Sequence, residues 1–312
     1  MKRKVIVFGA SGEIGGRIAR LAVDAGHQVY GVTRGTNQRS SVDLSGVEMI
    51  RGDKNDEAFL RDVVSKLDFD AVIDSVPSLA SVDLYMKYLP KAENIFFCSS
   101  TGTFVPLRYF PADENHPWRE ETPVNFYNQC QRDQHALQMY AEKGFPISIF
   151  RPTNIIGEGR VPLELWGARD IEFYRCLQEN RPVTIAPCEH IMVQSGYNWD
   201  LASAFVLGLE HPEQVRGEIF IISCKKAIML GQYLQTAMNY LGSKSEIHHI
   251  EAEKLCTIYP EVTMRHRLDF LLEHMCLDIG KAERILGYAP TKTTEEGLIA
   301  ALSWCRETGL LK

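Results

Sequence analysis

A glycine-rich run near the start of the chain has the residue spacing of a phosphate-binding turn. Gly9, Gly12 and Gly15 form the pattern G-x-x-G-x-x-G, between the apolar run 5–8 and an amphipathic helical pattern. The first glycine permits a tight bend, the second lets the backbone approach a pyrophosphate, and the third lets the helix pack on the strand. The helix N-terminus adds N–H donors. The predicted contacts with a dinucleotide are Gly9, Ser11, Gly12, Glu13, Ile14 and Gly15.

Residues at the ends of the next two predicted strands indicate which dinucleotide would bind. An NAD enzyme often carries an acidic residue after its second strand, where it holds the ribose 2′-hydroxyl. Here Thr33 and Arg34 occupy that place, and Arg34 offers a planar fork for a 2′-phosphate, with Arg39 as a second candidate cation. Asp53, after the third strand, is predicted to accept a hydrogen bond from adenine. We therefore predict NADP, with NAD less favoured; the alternative is that Arg34 is a solvated surface arginine.

Further motifs give the chain a family resemblance over nearly its whole length. They are Gly52-Asp53, residues 97–100, Tyr127, residues 151–157, residues 200–202 and residues 281–290. Together with the glycine turn, these motifs resemble the extended short-chain dehydrogenase/reductase superfamily, also called the NAD-dependent epimerase/dehydratase family. Within it, residues 26–29 and 33–35 and the strand around Phe220 look most similar to the atypical branch that contains chloroplast stem-loop-binding proteins.

The resemblance implies a catalytic Ser or Thr, a Tyr and a Lys, with the last two spaced as Y-x-x-x-K. Ser100 stands at the serine position, Tyr127 at the tyrosine position and Gln131 at the lysine position. Glutamine can hydrogen-bond the nicotinamide ribose, but it has no charge that would lower the tyrosine pKa. Carbonyl reduction, which needs only a neutral phenol as proton donor, is therefore favoured over alcohol oxidation. Arg132 is an alternative source of charge, although on a helix it projects about 100° away from Gln131.

Structural roles are open alternatives for both hydroxyl groups. Tyr127 can be a packing tyrosine at the start of a helix, and Ser100 can satisfy local backbone groups at the end of a strand. The family resemblance alone does not decide between these roles and catalysis, because a fold carries many functions.

Departures from the family pattern narrow the expected substrate. Thr101-Gly102 stands where sugar dehydratases of the family carry Asp-Glu, so dehydration is not expected. Val193 stands where many nucleotide-sugar enzymes carry an arginine for the diphosphate, so a nucleotide sugar is not favoured. Thr101 and Asn154 are the predicted substrate contacts. Arginines elsewhere can bind an anion or lie on the surface, and the candidates are Arg160, Arg169, Arg175 and Arg181.

The elements that must position these residues follow a regular alternation. Short apolar runs alternate with amphipathic helical patterns through the first half of the chain, which is typical of βαβ units and a parallel sheet. We predict an α/β, Rossmann-type, doubly wound parallel sheet with a smaller C-terminal α/β substrate-binding portion. Residues 1–158 form the predicted NADP-binding domain, a strand near 218–223 rejoins its sheet, and residues 159–312 are mainly substrate-binding.

Composition excludes several classes of protein. With 45% hydrophobic and 24% charged residues among 312, the chain is globular rather than disordered. A net charge of −6 without a basic run argues against a nucleic-acid partner. The eight cysteines form no Cys-x-x-Cys pair, so we expect neither disulfides nor a bound metal. No apolar stretch has membrane-spanning length, and we predict a cytoplasmic protein with no membrane partner, for which a homodimer is one option.

These observations predict an enzyme. The expected activity is that of an NADP(H)-dependent oxidoreductase or epimerase that acts on a hydroxyl or carbonyl carbon of a small polar substrate, with Tyr127 as proton donor. The missing lysine leaves two alternatives open. One is a cofactor-binding protein that has lost catalysis and acts as a redox-sensing regulator or an RNA binder, and the other is non-redox acid chemistry beside a bound nucleotide.

Overall fold

The computed structural model describes residues 2–35, 42–119, 126–259 and 265–312. The strands in chain order are β1 (Lys4–Phe8), β2 (Gln28–Thr33), β3 (Val47–Arg51), β4 (Ala71–Asp74), β5 (Asn94–Cys98), β6 (Ile147–Pro152), β7 (Asn154–Ile156), β8 (Val183–Ile185), β9 (Met192–Val193), β10 (Ser195–Tyr197), β11 (Ile219–Ile222), β12 (Ile228–Met229) and β13 (Ile247–His249). The helices are α1 (Glu13–Asp24), α2 (Glu57–Asp62), α3 (Ser81–Tyr88), α4 (Tyr127–Lys143), α5 (Ile171–Gln178), α6 (Asn198–Glu210), α7 (Pro212–Val215), α8 (Leu230–Leu241), α9 (Ala252–Ile258), α10 (Arg265–Leu271), α11 (Gly280–Leu286) and α12 (Thr294–Glu307).

The main sheet has seven parallel strands in the order β11-β6-β5-β4-β1-β2-β3. Val5 of β1 lies opposite Val29 of β2 on one side and Ala71 of β4 on the other. The strand order reverses at β1, so the switch point where such sheets bind ligands lies next to the glycine turn. The apolar residues of β1, β4, β5, β6 and β11 are buried, as is usual for a parallel sheet covered on both faces, whereas the edge strand β3 is largely exposed. The predicted fold class is confirmed.

Helices cover both faces of this sheet. On one face α1, α6 and α11 pack in a common apolar cluster, and on the other α2, α3 and α4 pack in a second cluster. Both α6 and α11 come from the C-terminal half of the chain, and β11 lies at the sheet edge beside β6. The C-terminal half therefore contributes two helices and one strand to the body built around the main sheet.

A third apolar cluster forms the smaller region beyond the carboxyl ends of the strands. Helices α5, α8 and α12 pack together around Trp166, Tyr174 and Tyr233, which are buried. Three short strand pairs support them, namely β7 with β10, β8 with β13, and β9 with β12. Two separate cores thus meet at one edge of the main sheet, and the space between two cores is a usual place for a ligand site.

Helix α4 positions the predicted catalytic residues. It begins at Tyr127, and it ends at Gly144, whose φ of 71° is the left-handed conformation common at helix ends. Its buried residues are Cys130, Arg132, Asp133, Ala136 and Met139.

Within the described ranges, helices long and apolar enough to cross a bilayer are absent.

Candidate cofactor and substrate sites

The glycine turn between β1 and α1 is shaped by contacts that exclude side chains. Gly9 has a φ of 78°, and a Cβ atom there would lie 2.4 Å from Ser75 Oγ. A Cβ on Gly15 would lie 2.2 Å from the Gly9 carbonyl oxygen and 2.7 Å from Ser75 Oγ. The Gly12 N–H donates to the Gly9 carbonyl at 2.8 Å and closes the turn. The third glycine therefore lets α1 approach both β1 and the loop after β4.

A cavity of about 270 Å³ lies beside this turn at the carboxyl ends of β1, β2 and β3. The Ser11 and Thr33 hydroxyl oxygens are 2.8 Å apart, and Thr33 Oγ1 also accepts from the Gly35 N–H at 3.1 Å. These bonds tie the end of β2 to the glycine turn. Arg39, the second candidate cation, lies outside the described residues. The predicted cofactor residues that line the cavity are Gly9, Ser11, Gly12, Arg34 and Asp53.

The first two residues of α1 have separate contacts. Ile14 is 6% exposed and packs in the core, so only its backbone can serve a phosphate. Glu13 places a carboxylate in the first turn of α1, where the helix dipole stabilises it. Its Oε2 pairs with Arg160 Nη1 at 3.1 Å. Arg160 therefore lies next to the glycine turn despite a separation of 147 residues.

A buried ion pair at the edge of the cofactor cavity was not predicted from the sequence. Lys54 lines the cavity, and its Nζ lies 3.1 Å from Oδ2 of Asp74, the fully buried last residue of β4. The Tyr85 O–H donates to the same carboxylate oxygen at 2.6 Å. Burial, followed by the Asp74 charge, raises the pKa of Tyr85 well above its ordinary value. One feature of the sequence could have indicated this pair: Lys54 and Asp74 each lie at or just after the end of a predicted parallel strand, and such ends meet at one edge of the sheet.

The turn after β5 carries Ser100 and Thr101. Ser100 is half-buried, and its Oγ accepts from the Gly102 N–H at 3.0 Å. A hydroxyl that accepts in this way keeps a proton that it can donate to a ligand. Thr101 is 1% exposed, and its hydroxyl donates to the Pro152 carbonyl at 3.3 Å. The Thr101 hydroxyl is thus used inside the protein, and we do not carry it into the proposed substrate site.

An apolar cleft of about 170 Å³ lies between the two cores. The Phe126 ring packs over Gly102 and stacks on Phe270, with the ring centroids 5.2 Å apart. Val193, which was predicted to stand where many nucleotide-sugar enzymes carry an arginine, lines the same cleft. The lining residues are Phe126, Asn154, Leu163, Gly167, Met192, Val193, Arg267, Phe270, Leu271, Glu273 and Met275.

Tyr127 lines a neighbouring cavity of about 620 Å³, beside Trp118 and Arg119. The Arg119 N–H donates to the Thr103 carbonyl at 2.8 Å, so this cavity borders the turn that carries Ser100. Tyr127 is half-buried at the first residue of α4. The predicted tyrosine and serine therefore both lie beside the turn after β5, while Phe126 is the residue that faces the apolar cleft.

The four candidate anion-binding arginines separate into two groups. Arg160 and Arg169 line a cavity of about 620 Å³ that adjoins the apolar cleft. Arg175 and Arg181 form ion pairs with Glu172, at 3.9 Å and 2.5 Å. Only the first group is placed where it could meet a ligand of the cleft.

Asn154, the other predicted substrate residue, is fixed by two hydrogen bonds. Its Oδ1 accepts from Arg169 Nη2 at 2.7 Å, and its Nδ2 donates to Ser195 Oγ at 2.8 Å. Burial, followed by repulsion from Arg160, lowers the pKa of Arg169 to about 10. Arg169 therefore stays charged at neutral pH, and Asn154 holds that charge beside the cleft.

The arrangement of His, Cys, Asp and Glu side chains gives little support for metal or thiol chemistry. Within the described ranges, clusters of three or more His, Cys, Asp or Glu side chains able to hold a metal ion are absent. The cysteines are free thiols. Burial raises the pKa of Cys98 to about 12, which makes its thiol a poor nucleophile at neutral pH.

Comparison with known proteins agrees with these motifs. The NmrA-like family model matches residues 1–82. The chloroplast stem-loop binding protein of 41 kDa b from Arabidopsis thaliana is 25% identical over 311 residues, which cover 95% of this chain and 78% of that protein. The probable pinoresinol-lariciresinol reductase 3 of the same plant is 26% identical over 142 residues, 44% of each protein. The structure of UDP-glucuronic acid 4-epimerase from Bacillus cereus in complex with NAD superposes with a TM-score of 0.73 at 17% identity and covers 99% of both chains.

The chain is therefore similar to the NmrA-like family in its first 82 residues and to two plant proteins, one a stem-loop binding protein and one named as a probable reductase. The resemblance found in the sequence is therefore confirmed, and the similarity to a stem-loop binding protein agrees with the finer part of that resemblance. The likeness to the epimerase structure supports the shared fold.

Gln131, which the sequence pattern predicts at the lysine position, is exposed on α4. The neighbouring Arg132 is 3% exposed and donates from Nη1 to the Pro77 carbonyl at 3.0 Å, in the loop after β4. Its Nε and Nη2 both donate to Asp133 Oδ1, at 3.0 Å and 2.6 Å. Arg132 thus places a charge beneath the carboxyl ends of β4 and β5, but its hydrogen bonds are made inside the protein.

Asp133 is the centre of a buried polar network beneath the turn after β5. Its carboxylate accepts from Ser99 Oγ at 2.5 Å, from Arg132 Nη2 at 2.6 Å and from Arg151 Nη2 at 3.1 Å. Arg151 is fully buried, burial lowers its pKa, and its guanidinium carbon lies 3.9 Å from the centre of the Trp118 ring. Two arginines and one carboxylate leave a net positive charge in this network. The sequence did not predict it, because its members lie on three separate elements.

Proposed function

We propose that this protein is an NADP(H)-dependent oxidoreductase that transfers hydride to the carbonyl group of a small substrate. The supporting observation is the single cavity in which the glycine turn, Arg34 and Asp53 meet. The relative named as a reductase and the fold shared with an NAD-bound epimerase add support at the level of the superfamily.

In this proposal each part of the site has its own task. The backbone N–H groups of the glycine turn bind the pyrophosphate, Arg34 binds the 2′-phosphate, and Asp53 accepts from adenine. When bound, the nicotinamide supplies the hydride. Ser100 donates a hydrogen bond to the substrate oxygen, and Tyr127 gives that oxygen its proton. Gln131 carries no charge, so the tyrosine acts as a neutral acid and reduction is the favoured direction.

Cofactor preference is the first test. We expect Arg34→Ala to weaken NADPH binding tenfold to a hundredfold and to leave NADH binding unchanged, because a charge-assisted hydrogen bond contributes about 1.5–3 kcal/mol. Titration of both cofactors by protein fluorescence measures the difference. Arg61→Ala, at an exposed arginine on α2, is the matched control and should change neither affinity. Equal affinities in the unaltered protein, or a preference for NADH, would remove the NADP assignment.

Proton transfer is the second test. We expect Tyr127→Phe to lower kcat about a hundredfold or more while NADPH affinity changes by less than about 1 kcal/mol, because the phenol O–H acts mainly in the transition state. NADPH oxidation with a panel of aromatic and aliphatic aldehydes gives kcat and KM. Phe126→Leu is the matched control on the adjacent residue, and it should raise KM more than it lowers kcat because Phe126 lines the apolar cleft.

A second candidate function is favoured by the exposed Gln131. Without the lysine charge, the protein would bind NADP as a regulator and would not turn substrate over. Under that function the unaltered protein prefers NADPH, Arg34→Ala removes the preference, and no aldehyde of the panel is reduced. The two tests together therefore separate an enzyme from a cofactor-binding regulator.

A further inference from the structure

The structure assigns an anion-binding site to the outer end of the apolar cleft, and we propose that the ligand of this cleft has an apolar body with a carboxylate or phosphate at one end. The inference rests on the proposed function in one respect, which is that the reacting carbonyl compound occupies this cleft. It goes further by stating the chemical class of that compound.

Three arginines from separate segments carry the inference. Arg160, Arg169 and Arg267 line the cavity of about 620 Å³ beyond the cleft. Arg267 lines the apolar cleft as well, together with Leu163 and Gly167, so the two spaces share one boundary. A Cβ on Gly167 would lie 2.9 Å from the Leu268 nitrogen, which shows how closely α10 packs there. One elongated molecule can therefore contact both spaces.

Arg169 is held in place by neutral groups. Its Nη1 donates to the Val161 carbonyl at 3.1 Å, and its Nη2 donates to Asn154 Oδ1 at 2.7 Å and to the Ile155 carbonyl at 2.8 Å. These acceptors fix the guanidinium but do not neutralise its charge. A partly buried cation held in this way is stabilised by an anion that enters the adjoining cavity.

The carboxylates at this cavity already have partners. Asp170 lines the cavity, and its Oδ1 accepts from the Glu172 N–H at 2.8 Å, which caps α5. Glu13 lies at the inner side and pairs with Arg160 at 3.1 Å. At the outer cavity itself, three arginines therefore outnumber Asp170 and the adjacent Glu13; Glu273 lines the inner cleft and is not part of the cavity lining.

The cleft itself determines the rest of the ligand. Phe126, Met192, Val193 and Phe270 present apolar surface toward its interior. Val193, which the sequence pattern predicts at the family's diphosphate-binding position, is apolar, and the arginines come from other segments of the chain. A polar nucleotide sugar fits this arrangement poorly. An aromatic or alkyl compound with one anionic end fits it well, and this class differs from the small polar substrate expected from the sequence.

Calorimetric titration of the full-length protein at low ionic strength tests the inference with three probes: phenyl phosphate, phenylacetate and the neutral 2-phenylethanol. We expect at least one anionic probe to bind about tenfold more tightly than the alcohol or better. The double variant Arg160→Gln/Arg267→Gln should abolish this difference, while Arg61→Gln on α2 should keep it. Arg169 is left unchanged because it holds Asn154 in place.

The outcomes separate the two anion classes and the two proposals. Preference for phenyl phosphate alone indicates a phosphate ligand, and preference for phenylacetate alone indicates a carboxylate ligand. Equal binding of all three probes, or an unchanged anion preference in the double variant, would overturn the inference. The titrations are repeated with saturating NADPH; displacement of the probe would show that the arginines serve the cofactor and would also overturn it. If NADPH does not bind while the anion preference persists, the proposed function fails and the anion site stands.

Discussion

The cofactor cavity and the apolar cleft open on the same edge of the sheet, but they use different parts of the chain. The cofactor cavity is lined by the turns after β1, β2 and β3, with Val76 as the last lining residue. The cleft takes its lining from residues between Phe126 and Met275. The first site is made largely of backbone and short side chains, and the second is made of aromatic, aliphatic and arginine side chains.

Because of this difference, the cofactor cavity and the apolar cleft should respond differently to substitutions. A turn that holds a phosphate through N–H groups depends on backbone shape, so a single added methyl group can disable it. A cleft made of side chains depends on the polar groups that fix them, and its specificity can change without a change of fold. Substitutions in the two regions should therefore fail in different ways.

The largest expected effect lies in the side-chain network beneath the turn after β5. Asp133→Ala leaves Arg132 and Arg151 buried without their carboxylate, and removal of one partner from a buried ion pair costs about 3–5 kcal/mol. Urea unfolding measures the loss. Asp62→Ala breaks the exposed pair with Arg61 and should cost less than about 1 kcal/mol. A loss below about 1 kcal/mol for Asp133→Ala would mean that the network adds little to stability.

Sequence could not predict this network, because the bonds from Asp133 to Ser99 and Arg151 join distant segments. Ser99 and Asp133 are 34 residues apart, and Asp133 and Arg151 are 18 apart. Helical geometry correctly gave the direction of Arg132 relative to Gln131, but it did not show that the arginine faces inward and the glutamine outward. Burial of a charged side chain depends on partners that only the tertiary fold supplies.

The second-largest expected effect is on cofactor binding at the glycine turn, where the site is formed by backbone groups. Gly15→Ala places a methyl group 2.2 Å from the Gly9 carbonyl oxygen, so α1 and the glycine turn must separate. We expect NADPH affinity to fall about a hundredfold, which corresponds to about 2.7 kcal/mol. Gly287→Ala is the matched control, since nothing lies within 4 Å of its Cβ position, and its positive φ should reduce stability modestly while NADPH affinity is kept. Unchanged affinity in Gly15→Ala would contradict the assigned pyrophosphate site.

The cofactor region was predictable because its determinants are local. Gly9 to Gly15 span the turn from β1 into the first residues of α1, and Arg34 and Asp53 follow the next two strands. Parallel strands bring such positions to one edge whatever the rest of the fold does. The Lys54–Asp74 pair lies at two such strand ends as well, but nothing in the sequence shows which strand-end charges will pair.

The smallest effect concerns a buried histidine in the segment between β5 and α4. His116 is 1% exposed; its Nε2 accepts from the Arg108 N–H at 2.8 Å, and its Nδ1 lies 2.7 Å from the Pro117 carbonyl. The ring is therefore neutral, with its proton on Nδ1. Burial lowers the pKa of His116 below its usual 6.5, because the charged form is poorly solvated there.

The lowered pKa determines the direction of the pH effect. The unfolded chain takes up the proton first, so the stability that the neutral ring contributes is complete above about pH 6.5 and is lost as the pH falls toward the folded pKa. Loss of the Arg108 bond costs about 1 kcal/mol, or roughly 2–4 °C in Tm.

His116→Gln can still accept that N–H but does not titrate, so its Tm should fall less than that of the unaltered protein between about pH 7 and pH 5. His248→Gln, at a side chain 55% exposed, should keep the original pH dependence. Equal slopes for His116→Gln and the unaltered protein would show that protonation of this ring does not limit stability in acid.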